Sequence, residues 1–229
     1  MLTLYFKVLF MASQSNTQNP TEQSLETLQD IKRMMERSSR FISLSGLSGV
    51  SAGICALVGA YFARGIIRTY LENETAGSNP AGRGMAREGF VLQMFGLAIA
   101  VLIAALVSST LFTWRKARRN QLPIWDHASK KLAVNMAIPL LAGGFFVIGL
   151  LSNSGWSYVG PACLVFYGLA LVNASKYTLT DIRYLGFLEI ALGCICMYFP
   201  HDGLYFWTAG FGILHIIYGL IMWWKYERK

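Results

Sequence analysis

Two ionisable residues stand alone inside apolar runs, Glu189 between Tyr184 and Phe199 and His215 between Leu204 and Trp224. A lone acid in hydrocarbon costs about 2.5–3.5 kcal/mol on insertion scales, so it turns inward and takes a partner. The two runs are joined by Pro200-His201-Asp202-Gly203, a turn so tight that they must form an antiparallel hairpin. At helical spacing Gly186, Glu189, Gly193 and Cys196 share one face, and Thr208, Gly212, His215 and Gly219 share another. Each face is a seam of small residues around one ionisable group. Counted from Arg183 and from Lys225, Glu189 lies about 9 Å deep and His215 about 15 Å. A bridging water could close that gap. Such a pair suits a proton relay or a substrate site, and equally a hydrogen-bonded link between helices.

Other polar groups point to simpler roles. Gln93, Asn135 and Asn173 read as interhelical hydrogen-bonding residues, and Asp126-His127 beside Trp125 as a helix N-cap at the interface. His201-Asp202 supplies too few ligands for a metal. Cys55, Cys163, Cys194 and Cys196 all fall in apolar runs without a C-x-x-C pair. Neither a metal nor a cofactor is expected. Gly46-Leu47-Ser48-Gly49 together with His215 resembles the serine and histidine of the rhomboid intramembrane proteases, which would make the chain a membrane hydrolase. Rhomboids carry that serine on the fourth core span, whereas Ser48 falls on the first. Their second-span His and Asn have no counterpart, Gln93 being the one comparable group. The same segment also reads as packing. Ser45, Gly49 and Gly53, beside Ser48, Ala52, Ala56 and Ala60, form two small-xxx-small stripes.

These residues need a frame, and composition supplies it. The chain has 229 residues, 54% of them apolar and only 14% charged, with a mean hydropathy of +0.43. A soluble domain carries roughly a quarter charged residues, and here the charges cluster between long uncharged runs. Disorder, collagen, a disulfide scaffold and an ordinary soluble enzyme are excluded. The expected fold is all-α, a polytopic integral membrane protein with a six-helix bundle built from antiparallel hairpins. Its spans are read as 41–63, 90–114, 132–151, 156–173, 184–199 and 204–224, with Pro139 kinking the third. Residues 1–20 read as a disordered leader, its first ten an upstream extension. Residues 21–40 read as a cytoplasmic amphipathic helix with Leu25, Leu28, Ile31 and Met35 on one face.

Basic residues orient the bundle. One side receives Lys32, Arg33, Arg37, Arg40, Arg115, Lys116, Arg118, Arg119, Lys130, Lys131, Lys176, Arg183, Lys225, Arg228 and Lys229. The other receives only Arg64, Arg68, Arg83 and Arg87. Fifteen against four places both termini in the cytoplasm. Net charge is +8, which in a soluble protein would suggest nucleic acid. At the mouths of spans it reads instead as contact with anionic headgroups, above all by Arg115, Lys116, Arg118, Arg119, Lys130 and Lys131.

Tyr167-Gly168-Leu169 before Lys176-Tyr177 is echoed by Tyr218-Gly219-Leu220 before Lys225-Tyr226, which suggests duplicated hairpins. The last hairpin spaces Gly186, Gly193 and Pro200, then Gly212 and Gly219, in seven-residue steps. Over about 40 residues this resembles the glycine-spaced hairpins of the HdeD-type six-span bacterial membrane proteins. That resemblance implies a bacterial cytoplasmic membrane, an envelope or stress role linked to acid resistance, and no catalytic site. Three readings follow: a non-enzymatic membrane protein, a small proton-linked transporter or channel using Glu189 and His215, and an intramembrane enzyme. A chain this short encloses little interior, so a homo-oligomer could form a pathway between protomers.

Overall fold

A computed structural model describes residues 24–25, 27–29, 45–75, 80–121 and 125–228. The leader and most of the amphipathic segment, Ile31 and Met35 included, lie outside the described residues. Residues 24–25 and 27–29 are helical, with Leu25 and Leu28 exposed. From Ser45 onward the described residues form helices and turns, with no strand. The helices are α1 (Gly46–Thr75), α2 (Pro80–Arg119), α3 (His127–Ser152), α4 (Val159–Ala174), α5 (Ile182–Cys196) and α6 (Gly203–Tyr226).

Five of the six are long and apolar enough to cross a membrane: α1, α2, α3, α6, and α4 with the turn before it. The exception is α5, whose 15 residues rise about 22 Å against a hydrocarbon thickness near 30 Å. α1 and α2 run well past the spans expected from sequence, at 30 and 40 residues. Their extensions hold charged residues at helical spacing, such as the Arg68–Glu72 pair at 2.7 Å. Charge marks where a span meets water, and a helix need not stop there. α3 likewise begins early, because Asp126 accepts from Ser129 N at 2.7 Å and Ser129 Oγ accepts from Asp126 N at 2.9 Å. This closed capping box seals the helix start. Pro139 sits within α3 without interrupting it.

α1 packs on α2 and α6, α4 on α5 and α3, and α6 also touches α4 and α5. Glycines set the closest approaches. A Cβ on Gly219 would lie 2.6 Å from Val50 N and 2.7 Å from Gly46 O, and one on Gly53 2.7 Å from Gly212 O. Between α4 and α5, a Cβ on Gly168 would lie 2.6 Å from Gly186 O, and one on Gly186 2.8 Å from Gly168 O. Gly193 faces Pro161 O in the same way, at 3.0 Å. Backbone therefore meets backbone, the arrangement small residues permit in lipid. Two details differ from the sequence reading. Gly46, rather than Ser45, starts the α1 stripe with Gly49 and Gly53. Gly212 and Gly219 turn to α1, away from the face that carries the His215 ring toward α5.

Two carboxylates tie the basic end together. Glu227 accepts from Gly46 N at 2.6 Å, Ser45 Oγ at 3.2 Å and Lys116 Nζ at 3.2 Å, placing an anion at the N-terminus of α1. Lys116 is thus committed to Glu227, with its side chain only 15% exposed, which corrects its expected place among the lipid-facing cations. Arg115, Arg118, Arg119, Lys130 and Lys131 are exposed. Asp181 accepts from Lys225 Nζ at 2.6 Å and Tyr226 Oη at 3.0 Å. The hydrogen bond from Lys225 is the main cause holding the Asp181 carboxyl below its ordinary range.

Candidate functional site

Glu189 and His215 meet at mid-height of the bundle. Glu189 is the central residue of α5 and is 0% exposed, while His215 is 6% exposed. His215 Nδ1 lies 3.4 Å from Glu189 Oε1. The depths differ less than counting from Arg183 suggests, because Asp181 is the residue level with Lys225. Eight residues on α5 and ten on α6 then descend about 12 Å and 15 Å, and the side chains bridge the difference directly.

The α6 backbone contributes as much as its side chains. Residues Thr208–Leu214 form a π-helix between the α-helical halves of α6. This wider turn brings the Gly210 carbonyl to His215 Nδ1 at 3.0 Å. A carbonyl can only accept, so Nδ1 carries the hydrogen. With the ring neutral, Nε2 is an acceptor, and Tyr167 Oη donates to it at 2.8 Å from α4. Glu189 Oε2 lies under Gly210, where a Cβ would fall 2.5 Å from it. Neither carboxyl oxygen of Glu189 has a hydrogen-bond partner. Phe211 covers the imidazole, stacked at 5.8 Å, and Trp207 covers Phe211 at 5.1 Å.

Chemically, this cluster can hold one proton in two ways. A proton on Glu189 leaves a neutral acid beside a neutral imidazole. A proton on Nε2 gives an imidazolium beside a carboxylate, and Tyr167 need only turn its hydroxyl. Neither state buries an uncompensated charge, the costliest condition inside a membrane.

The remaining candidates are dispersed. Asn173 Nδ2 donates to Asn135 O at 2.8 Å and lies 3.4 Å from Asn135 Oδ1, which joins α4 to α3. Gln93 is exposed, lining a cavity of about 220 Å³ between the extensions of α1 and α2 with Tyr70, Asn73 and Phe90. It thus faces α1 across an open cleft that Ile66, Thr69, Tyr70 and Asn73 line from the other side. Ser48 Oγ donates back to Ser45 O on its own helix. Both His215 nitrogens are taken by other groups, so no serine–histidine dyad forms. No group of three or more metal-ligating side chains occurs among the described residues.

Sequence reasoning missed Tyr167 and Gly210. Tyr167 was visible only as part of a repeated phrase. Gly210 became a site residue because α6 departs from the α-helical period. Compared with known proteins, the chain matches no protein family, no curated protein and no solved structure.

Proposed function

We propose that this chain is a six-span membrane protein whose Glu189–His215 pair binds a proton, working as a small proton-linked transporter or channel. One observation carries the reading: Glu189 is fully buried at mid-height, next to His215, with both oxygens free of hydrogen bonds. A carboxyl kept only to link helices would be satisfied, as buried polar groups generally are. An open one can take a proton without giving up an existing hydrogen bond. The π-helix beside it adds support, since such segments recur at functional sites.

Six spans fit the way α5 joins the two ends of the bundle. Asp181 bonds Lys225 at one end, and a Cβ on Gly160 would lie 3.1 Å from Gly203 O at the other. With the turn 197–202 that follows it, α5 leads the chain from the first of these ends to the second. The fifteen-to-four basic count supports cytoplasmic termini, with the exposed cations of residues 115–131 on anionic lipid. Single cysteines introduced at 83 and at 119 test this. Position 83 should label from outside and 119 only after permeabilisation, and the reverse would overturn the orientation. The HdeD-type resemblance supplies a second reading, an envelope role under acid stress in a bacterial cytoplasmic membrane. Close packing at Gly186, Gly193, Gly212 and Gly219, the residues of that resemblance, favours it. It is compatible with a proton site.

The decisive experiment uses protein reconstituted into vesicles with an imposed pH gradient. Wild type should carry protons inward, and Glu189→Gln should keep its helix content while uptake falls about tenfold or more. Uptake by Glu189→Gln at the wild-type rate would overturn the proposal.

A further inference from the structure

His215 Nδ1 carries one hydrogen and faces two acceptors. The Gly210 carbonyl of its own helix lies 3.0 Å away, and Glu189 Oε1 of α5 lies 3.4 Å away. We propose that Gly210 is the positioning residue of the proton site, and that the Nδ1–H passes from the Gly210 carbonyl to Glu189 each time the carboxyl loses its proton. This inference rests on the proton-binding reading and says how the site is held in both of its states.

The winding of α6 puts Gly210 there. In an α-helix the carbonyl one turn back belongs to the residue four before, and in a π-helix to the residue five before. Side chains lean toward the N-terminus of their helix, so the His215 ring meets the carbonyl of the preceding turn. Through the π-helix Thr208–Leu214 this carbonyl is that of Gly210. An α-wound segment would present Phe211 instead. Glu189 requires glycine at the same spot. A Cβ on Gly210 would stand 2.5 Å from Glu189 Oε2, 3.2 Å from its Cδ and 2.5 Å from Leu164 Cδ2. Leu164 and Glu189 are both 0% exposed.

The charge on Glu189 decides between the two acceptors. Protonated, the carboxyl is neutral and carries a donor of its own, and the N–H stays on the Gly210 carbonyl. Ionised, it is acceptor-only, and both its oxygens are open. A hydrogen bond to a carboxylate is about twice as strong as one between neutral groups. Closing from 3.4 Å to the length of such a bond takes roughly 0.5 Å of movement. The N–H bond stays intact throughout, and only its acceptor changes. The departing Glu189 proton goes to His215 Nε2 or to water. Gly210 is left with a bare carbonyl, which costs less at this depth than a bare carboxylate.

Tyr167 of α4 faces the pair at 2.8 Å from Nε2. The other titratable side chains near this depth are Cys163 of α4, Cys196 of α5, Tyr218 of α6 and Cys55 of α1. The charged ones, Arg64, Asp181, Arg183 and Lys225, stand more than a helical turn from the level of the pair.

Solid-state NMR on protein in phosphatidylcholine–phosphatidylglycerol vesicles tests the exchange. Labels of 15N on histidine and 13C on glycine carbonyls and glutamate Cδ give two distances from Nδ1, to the Gly210 carbonyl carbon and to Glu189 Cδ. The shift of that Cδ reports its ionisation. At the acid end of the titration the Gly210 contact should be tight. At the alkaline end it should lengthen while the Glu189 contact shortens. Gly210→Ala should abolish the exchange. Gly212→Ala, which changes the same π-helix but meets a side-chain tip, Leu57 Cδ2 at 2.5 Å, should keep it. An Nδ1–H that stays on Gly210 while Glu189 titrates would overturn the inference and leave the proton site standing. So would an exchange that survives in Gly210→Ala or is lost equally in Gly212→Ala. A Glu189 carboxyl that does not titrate would overturn the proton site, and the exchange with it. If Gly210→Ala fails to fold, the wild-type distances decide.

Discussion

His215→Leu is expected to destabilise the bundle by about 3–5 kcal/mol, the usual result of removing one partner from a buried ionic pair. The substitution leaves Glu189 at 0% exposure without the imidazole 3.4 Å away, and leaves the Tyr167 hydroxyl and the Gly210 carbonyl without that ring. Adding Glu189→Leu should recover part of the loss, because the stranded carboxyl disappears. A coupling energy of about 1–3 kcal/mol is expected from the full cycle. Equilibrium unfolding in mixed micelles, titrated with a denaturing detergent, measures each term. Additive losses would mean that the 3.4 Å contact carries no energy, and the two residues would then act separately. Because leucine is close to histidine in volume, a cavity contributes little to the expected loss.

The pair was legible in sequence for a physical reason. A charge in an apolar run violates the strongest compositional rule of a membrane helix, so Glu189 and His215 stand out without any alignment. Their adjacency followed from the short turn at Pro200–Gly203. Tyr167 carried no such signal, since tyrosine is common in membrane helices and its hydroxyl betrays nothing about its target. Gly210 was less visible still. Reading faces at 3.6 residues per turn assumes an unbroken α-helix, and the π-helix at Thr208–Leu214 rotates everything before it relative to His215. The assumption that Gly212 shares a working face with His215 failed on that account. The lengths of α1 and α2 were hidden for another reason. Hydropathy reports where lipid ends, whereas backbone hydrogen bonding continues through the charged turns beyond Ala63 and before Phe90.

Glycine was read correctly as a class but less well by position, and this distinction yields the second large expected effect. Gly219→Ala should cost about 1–3 kcal/mol, the range for overpacking a filled interior. Its new methyl would meet Val50 N at 2.6 Å and Gly46 O at 2.7 Å, which are backbone atoms that cannot move aside as a side-chain tip can. Gly168→Ala should behave alike, because Gly186 O lies 2.6 Å from the added carbon. Gly65 and Gly144 are the controls, with nothing within 4 Å of a built Cβ. There alanine should stabilise by about 0.5–1 kcal/mol, as it does generally in helix interiors. All four substitutions make the same chemical change in a helix of the same protein, so propensity alone would give them one sign. Opposite signs for the two pairs in detergent unfolding would identify α1–α6 and α4–α5 as the contacts that hold the bundle. A common sign for all four would mean those helices are not pressed together as closely as Gly219 and Gly168 require. Tyr167 would then lose its fixed distance to His215, because Gly168 sets the position of α4 one residue from it.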